Sequence, residues 1–178
     1  MNDDIAQLLK SLHLARIAEI LDEEVAKAEK KDASYQELLA VLLRAQWHHR
    51  QETALAYRIR RSGLPEQWSL ESFPWKRQPG VSQRQIRGFA ELDFIAKAEN
   101  IVFIGPTGVG KTGLASGLLL KALQNGYRGT FLRAQDLFDE MYASLADRSS
   151  RKLIDRLARV DLLLVDSCGA PSYVESPL

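Results

Sequence analysis

Asn100-Ile-Val-Phe-Ile-Gly-Pro-Thr-Gly-Val-Gly-Lys-Thr112 decides the fold: an apolar run, a glycine-rich loop, then a lysine and a hydroxyl residue. From Gly105 to Thr112 the spacing is G-x-x-x-x-G-K-T. It follows a short buried-strand pattern, Ile101 to Ile104, and precedes an apolar-periodic helix, Leu114 to Leu123. Main-chain N–H groups can wrap a phosphate chain only where no Cβ intrudes and unusual φ/ψ values are accessible. That assigns the tight turns to Gly105, Gly108 and Gly110, with Pro106, Thr107 and Val109 completing the cradle. The positive end of the following helix faces the anion. Lys111 is placed to reach the β- and γ-phosphates of ATP, and the Thr112 hydroxyl to ligate Mg²⁺.

Downstream, Thr130-Phe-Leu132 reads as a strand. Leu137, Phe138, Met141, Tyr142 and Leu145 mark a helix, and Leu153, Ile154 and Leu157 another. Val160-Asp-Leu-Leu-Leu-Val-Asp166 is an apolar strand ending in a carboxylate, which in a nucleotide hydrolase sits beside the phosphate loop and serves Mg²⁺. Alternating strands and helices predict an α/β class, a partial P-loop NTPase parallel sheet with helices on both faces.

Upstream the pattern is helical throughout. Ile5, Leu8, Leu9 and Leu12 recur at helical spacing after Asp3 and Asp4, and Leu14, Ile17, Leu21, Val25 and Ala28 form a second stripe. Ser34-Tyr-Gln-Glu37 is a capping box that opens a long helix, expected to stop at Ser62-Gly63-Leu64-Pro65. The predicted organisation is an all-α domain over 1–63, an ordered linker with a short helix over 64–99, and a P-loop ATPase domain over 100–178. The linker's Trp68, Phe73 and Trp75 are expected to pack on the second domain.

The chain has 178 residues and a net charge of +1, and this balance conceals a basic zone. Residues 44–88 carry nine arginines and lysines against three glutamates, a local +6, while the remainder sums to −5. Trp47, Arg50, Ala54, Arg58 and Arg61 fall on one helical stripe, suited to phosphate contact and stacking. Nucleic acid is the expected polyanion, with Arg50, Arg58 and Arg61 the candidate contacts, and a solvated helix face the alternative. His48 and His49 are adjacent, so they point to different sides of a helix and form no joint metal site. The single cysteine, Cys168, excludes an internal disulfide. Neither a leader nor an apolar run of membrane-spanning length is present, which predicts a cytoplasmic protein.

These motifs, taken in order, resemble the IstB-like family of AAA+ ATPases, helper proteins encoded beside the transposase in certain bacterial insertion sequences and related to DnaC-type helicase loaders. The resemblance runs from about Ile5 to Asp166. It includes Gln85-Ile-Arg-Gly-Phe-Ala-Glu-Leu-Asp-Phe-Ile95, Ala98 to Thr112, and Gly126-Tyr-Arg128 with the strand after it. It implies an ATP-dependent homo-oligomer that binds DNA with little sequence preference and delivers or stimulates a partner transposase. Gly105 to Thr112 would hold ATP, Lys111 and Asp166 would serve catalysis and Mg²⁺, and the basic stripe would touch DNA or a partner.

Three departures qualify that implication. Gly113 stands where the family usually carries a bulkier residue, and Ser167 stands where a second acid normally activates water. Residues 168–178 do not resemble the family's continuation past this strand, and a sensor strand, arginine finger and helical lid are missing. In the AAA+ arrangement the fourth strand lies between the phosphate-loop strand and the Asp166 strand, so a gap is expected in the sheet. The chain thus resembles a truncated or frame-shifted member. Three functional readings remain open: an active ATPase helper or helicase loader, a nucleotide- and DNA-binding module with little turnover, and a non-catalytic remnant.

Overall fold

The computed structural model describes residues 3–146 and 148–167. Cys168 and the rest of the segment 168–178 lie outside the described residues. The chain divides into two compact units, Met1–Ala56 and Tyr57–Leu178, with the division falling inside a helix.

The first unit is helical, as its periodicity predicts. In α1 (Asp3–Ser11), α2 (Ala15–Lys31) and α3 (Tyr35–Ser62) the apolar stripes are buried only in part: Leu9, Ile17 and Leu42 are buried with Leu14, Leu21 and Leu38 packed around them, whereas Ile5, Leu8, Leu12, Leu39 and Leu43 are exposed. α3 begins at the predicted capping box. The Ser34 N–H donates to Glu37 Oε2 at 2.8 Å, and the Glu37 N–H donates to Ser34 Oγ at 3.3 Å. The Ser34 N–H, together with the Ser34 hydroxyl donating to the same Oε2 at 2.9 Å, holds the Glu37 carboxyl below the usual carboxylate range.

α2 has no such local cap. Leu14 precedes it and contributes no side-chain bond, so the first N–H groups need partners from elsewhere. Gln46, buried on α3, supplies them: its Oε1 accepts from the Arg16 N–H at 3.0 Å and the Ile17 N–H at 3.2 Å.

α3 ends as expected, with Gly63 in the left-handed region at φ 70°. Residues 64–99 then form more than a linker. A 3-10 turn (Trp75–Arg77), α4 (Gln83–Phe89) and α5 (Asp93–Ala96) occupy it, so the single short helix expected here is two. They are separated at Leu92, whose φ of 67° breaks the helical run. Phe73 and Ile86 are buried against Leu114, and Leu92 and Phe94 against Ala122. Both clusters rest on α6 (Lys111–Gln124), the buried helix of this unit, whose Leu119, Ala122 and Leu123 have no exposed surface.

β1 (Gly129–Arg133) and β2 (Leu162–Asp166) pair in parallel, from Gly129 opposite Leu162 to Arg133 opposite Asp166. Parallel strands need a crossover, and α7 (Ala134–Ala146) and α8 (Ser150–Leu157) supply it. The α/β class and the parallel pairing are therefore as predicted, with helices flanking a small sheet. One expectation fails. Residues 101–104 are irregular rather than a strand. A strand is defined by its ladder, and among the described residues the sheet has two members only. Val102 and Ile104 are consequently 76% and 92% exposed.

A polar clasp closes the sheet at its entry end. The Arg128 guanidinium donates to Asp161 Oδ1 at 2.9 Å, and the Arg128 N–H to Asp161 Oδ2 at 2.7 Å. Together these hold the Asp161 carboxyl below its ordinary value. A lowered folded-state pKa contributes stability above the unfolded-state value, about 3.9 for aspartate, and that contribution is lost as pH falls through the folded value. Urea midpoints of the second unit measured from neutral pH to pH ~3 should therefore fall less steeply for Asp161→Asn than for the parent chain. Equal slopes would remove the clasp from the acid sensitivity.

Candidate nucleotide site

The loop 105–110 joins residues 101–104 to α6, and Lys111 and Thr112 are the first residues of that helix. Gly108 and Gly110 have φ values of 84° and 85°, left-handed conformations that side chains rarely adopt. Gly105 does not: a Cβ there would meet Val109 at an ordinary 3.5 Å. The turn requirement read from sequence thus holds for two of the three glycines. At Gly110 a second constraint applies, because an added Cβ would lie 2.9 Å from Phe73 Cε2. Trp68 lies over the next turn, 3.6 Å from where a Cβ of Gly113 would be. A Cβ at Gly113 would therefore make only ordinary contact with the aromatic rings of the 64–99 segment.

The Lys111 ammonium is folded onto the loop, donating to the carbonyls of Gly105 at 2.8 Å and Pro106 at 2.7 Å. Those contacts place a positive charge within the concavity of the loop, beside the N–H groups that the first turn of a helix leaves without intrahelical partners. Thr112 and Asp166, far apart in sequence, come together at the end of β2. The Thr112 hydroxyl lies 3.1 Å from Asp166 Oδ1 and 3.2 Å from Oδ2. A hydroxyl beside a carboxylate is a hard-oxygen pair of the kind Mg²⁺ takes with one or two protein ligands and phosphate oxygens. Among the described residues no group of three or more His, Cys, Asp or Glu side chains could hold a metal by itself. Ser167 comes directly after Asp166 and is exposed.

A model of the family described as IstB-like ATP binding protein matches residues 7–175. The chain belongs to that IstB-like family. An insertion sequence IS21-like ATP-binding protein of Bacteroides fragilis (strain YCH46) is 30% identical over 163 residues, covering 92% of this chain and 82% of the relative. The IS5376 ATP-binding protein of Geobacillus stearothermophilus is 31% identical, covering 95% and 67%. For the IS21 ATP-binding protein of Pseudomonas aeruginosa the identity is 28%, covering 93% and 63%. The IstB-like chain thus spans about two thirds of the length of the latter two.

The candidate polyanion contacts of the IstB-like chain separate into two groups. Arg50 lies in the first unit, where a guanidinium nitrogen stands 3.5 Å from the Leu12 carbonyl. Arg58 and Arg61 lie in the second and line a cleft of about 460 Å³ together with Arg128, Arg156 and Arg159. Its apolar floor includes Leu123, Leu132 and Val160. Arg58 is partly committed, donating from Nε to the Leu123 carbonyl at 2.9 Å and so capping the end of α6. Arg61 donates to the Tyr57 hydroxyl at 3.0 Å, and Arg156 pairs with Glu140. The last three cleft arginines escaped the helical-stripe reading because they come from other elements. No helix of the described residues is long and apolar enough to cross a membrane.

Proposed function

We propose that the chain binds ATP with Mg²⁺ and acts as an ATP-binding helper to a transposase encoded alongside it. The observation that carries this reading is the meeting of Thr112 and Asp166 at 3.1 Å beside a loop whose lysine already lies within its concavity. Main-chain N–H groups of the loop and α6 hold phosphate oxygens, Lys111 exchanges its two carbonyls for the β- and γ-phosphates, and Thr112 and Asp166 serve the cation. Membership of a family whose relatives are named as insertion-sequence ATP-binding proteins supports the same reading. Turnover is slow in this chain, because Ser167 offers no carboxylate to accept the proton of an attacking water. Titration of fluorescently labelled ATP should saturate in the presence of Mg²⁺ and weaken on chelation with EDTA. Absence of saturation would leave the non-catalytic remnant as the better reading.

DNA is the second proposed ligand, held through phosphates with little sequence preference. Its support is the clustering of five arginines around one cleft, against Asp161 and Glu140 as the acids paired with them. Each phosphate contact contributes a near-unit slope to the salt dependence of affinity. The double variant Arg61→Glu/Arg159→Glu should therefore weaken duplex-DNA binding about tenfold or more and reduce the salt slope by about two. Arg50→Glu, tested separately, reports whether the first unit contributes. Unchanged affinity and slope in the double variant would remove the cleft as the contact. Assembly into a homo-oligomer, proposed from the family likeness, is read from sedimentation with and without ATP.

A further inference from the structure

Phosphate contact leaves part of the arginine cleft unused. A duplex presents its phosphates on a convex rim and keeps its bases stacked inside, so it calls for guanidinium groups but for no apolar floor. This cleft has one, made of Leu123 at the end of α6, Leu132 in β1, and Leu157 and Val160 at and just past the end of α8. Leu123 is completely buried and the other three are half-buried. The cleft's volume of about 460 Å³ falls among small-ligand sites, which run from about 300 to about 1,000 Å³. All of its lining residues belong to the second unit.

The cations around that floor are not equivalent. Arg128 is paired with Asp161, Arg156 is paired with Glu140, and Arg58 Nε is committed to the Leu123 carbonyl. Arg61 donates to a neutral hydroxyl, that of Tyr57, and among the described residues the Arg159 guanidinium has no side-chain partner. Two exposed guanidinium groups therefore keep their charge available for phosphate. The Arg61 guanidinium carbon also lies 5.8 Å from the Tyr57 ring centroid, with that of Arg60 at 5.7 Å. Ring and charge thus hold one another in place, and nucleic-acid bases stack on aromatic rings and guanidinium planes alike.

We propose that the cleft receives one unpaired nucleotide of DNA, its base on the apolar floor beside Tyr57 and its two flanking phosphates on Arg61 and Arg159. The proposal rests on the DNA reading above and narrows it: the preferred ligand is a strand with a base out of its stack, not an intact duplex. A paired base must first be extruded at the cost of its stacking and pairing, whereas a bulged base is already free to enter. Apart from Tyr57, Thr130 is the one neutral polar side chain in the lining, so discrimination among the four bases is weak.

Three fluorescein-labelled duplexes, titrated against the full chain without ATP, give the test. One is fully paired, one carries a single extra adenine as a bulge, and one carries the same bulge with an abasic site. Stacking of one base contributes about tenfold or more in affinity, so the bulged duplex should bind about tenfold tighter than the paired one. Removing the bulged base should erase that gain, which separates the base from the flexibility that any bulge introduces. 2-Aminopurine in the bulge should become protected from acrylamide quenching on binding. Tyr57→Leu, at an exposed position, should bring the ratio of bulged to paired affinity close to one with unchanged circular dichroism. Equal binding of the paired and bulged duplexes would leave the DNA reading standing and overturn this proposal, as would an abasic bulge bound as tightly as the adenine bulge. A preference that survives Tyr57→Leu, or that ATP competes away while paired-duplex binding persists, would place the base elsewhere and overturn it too. If no duplex binds, the DNA reading itself fails and the proposal falls with it.

Discussion

Replacing Lys111 by alanine is expected to lower ATP affinity by about a hundredfold while leaving the thermal stability of the nucleotide-free chain nearly unchanged. Charge-assisted hydrogen bonds contribute roughly 1.5–3 kcal/mol each, and losing about 3 kcal/mol of phosphate contact corresponds to about two decades in Kd. The stability half of the expectation comes from the structure. Without nucleotide the ammonium bonds two carbonyls in an exposed loop, those of Gly105 and Pro106, and water can replace it at both. Calorimetric titration gives the affinity and a melting curve gives the stability. A variant that binds ATP as tightly as the parent would dissociate the loop from phosphate binding. One that also melts much lower would make Lys111 a structural residue first.

What could be read in the sequence, and what could not, divides by the range of the interactions involved. The capping box at Ser34 and Glu37, the glycine stop at Gly63 and the apolar stripes of α1 to α3 are local, and periodicity or a three-residue spacing is enough to find them. The phosphate loop and the carboxylate that ends β2 are local too, though their meeting at Thr112 and Asp166 is not. It became legible only because each motif predicts where the other must be. The cap on α2 could not be read: a leucine precedes the helix, and the acceptor is Gln46, about thirty residues away. For the same reason the arginine cleft was half seen. A helical stripe delivered Arg58 and Arg61, whereas Arg128, Arg156 and Arg159 arrive through the fold of β1 and α8. Residues 101–104 show the opposite error. Their composition is that of a buried strand, but a strand's existence depends on a neighbour, and that none pairs with them among the described residues is invisible to a window of four residues.

Gly129→Val is expected to destabilise the second unit by about 3 kcal/mol, the upper end for an overpacked core, and to lower its Tm by about 10 °C. A Cβ at this position would stand 2.2 Å from Leu119 Cδ1 and 3.5 Å from Leu123 Cδ2. Both leucines are completely buried on α6, so neither can move into solvent. The glycine is there for the approach of helix to strand, not for its backbone angles. Gly88 in α4 is the contrasting case: nothing lies within 4 Å of a Cβ added there. Gly88→Ala should therefore stabilise by up to about 1 kcal/mol through helix propensity alone. The Gly129 effect should also reach the nucleotide. Gly129 is held opposite Leu162 at the start of the same ladder that ends with Arg133 opposite Asp166. Pushing α6 off β1 moves Thr112, on the first turn of that helix, away from the carboxylate it meets. ATP affinity in Mg²⁺, measured well below the lowered Tm, should fall with the stability, whereas affinity measured in EDTA should fall less. Equal losses with and without the cation would mean that the helix shifts as a body with the phosphate loop and carries Asp166 along.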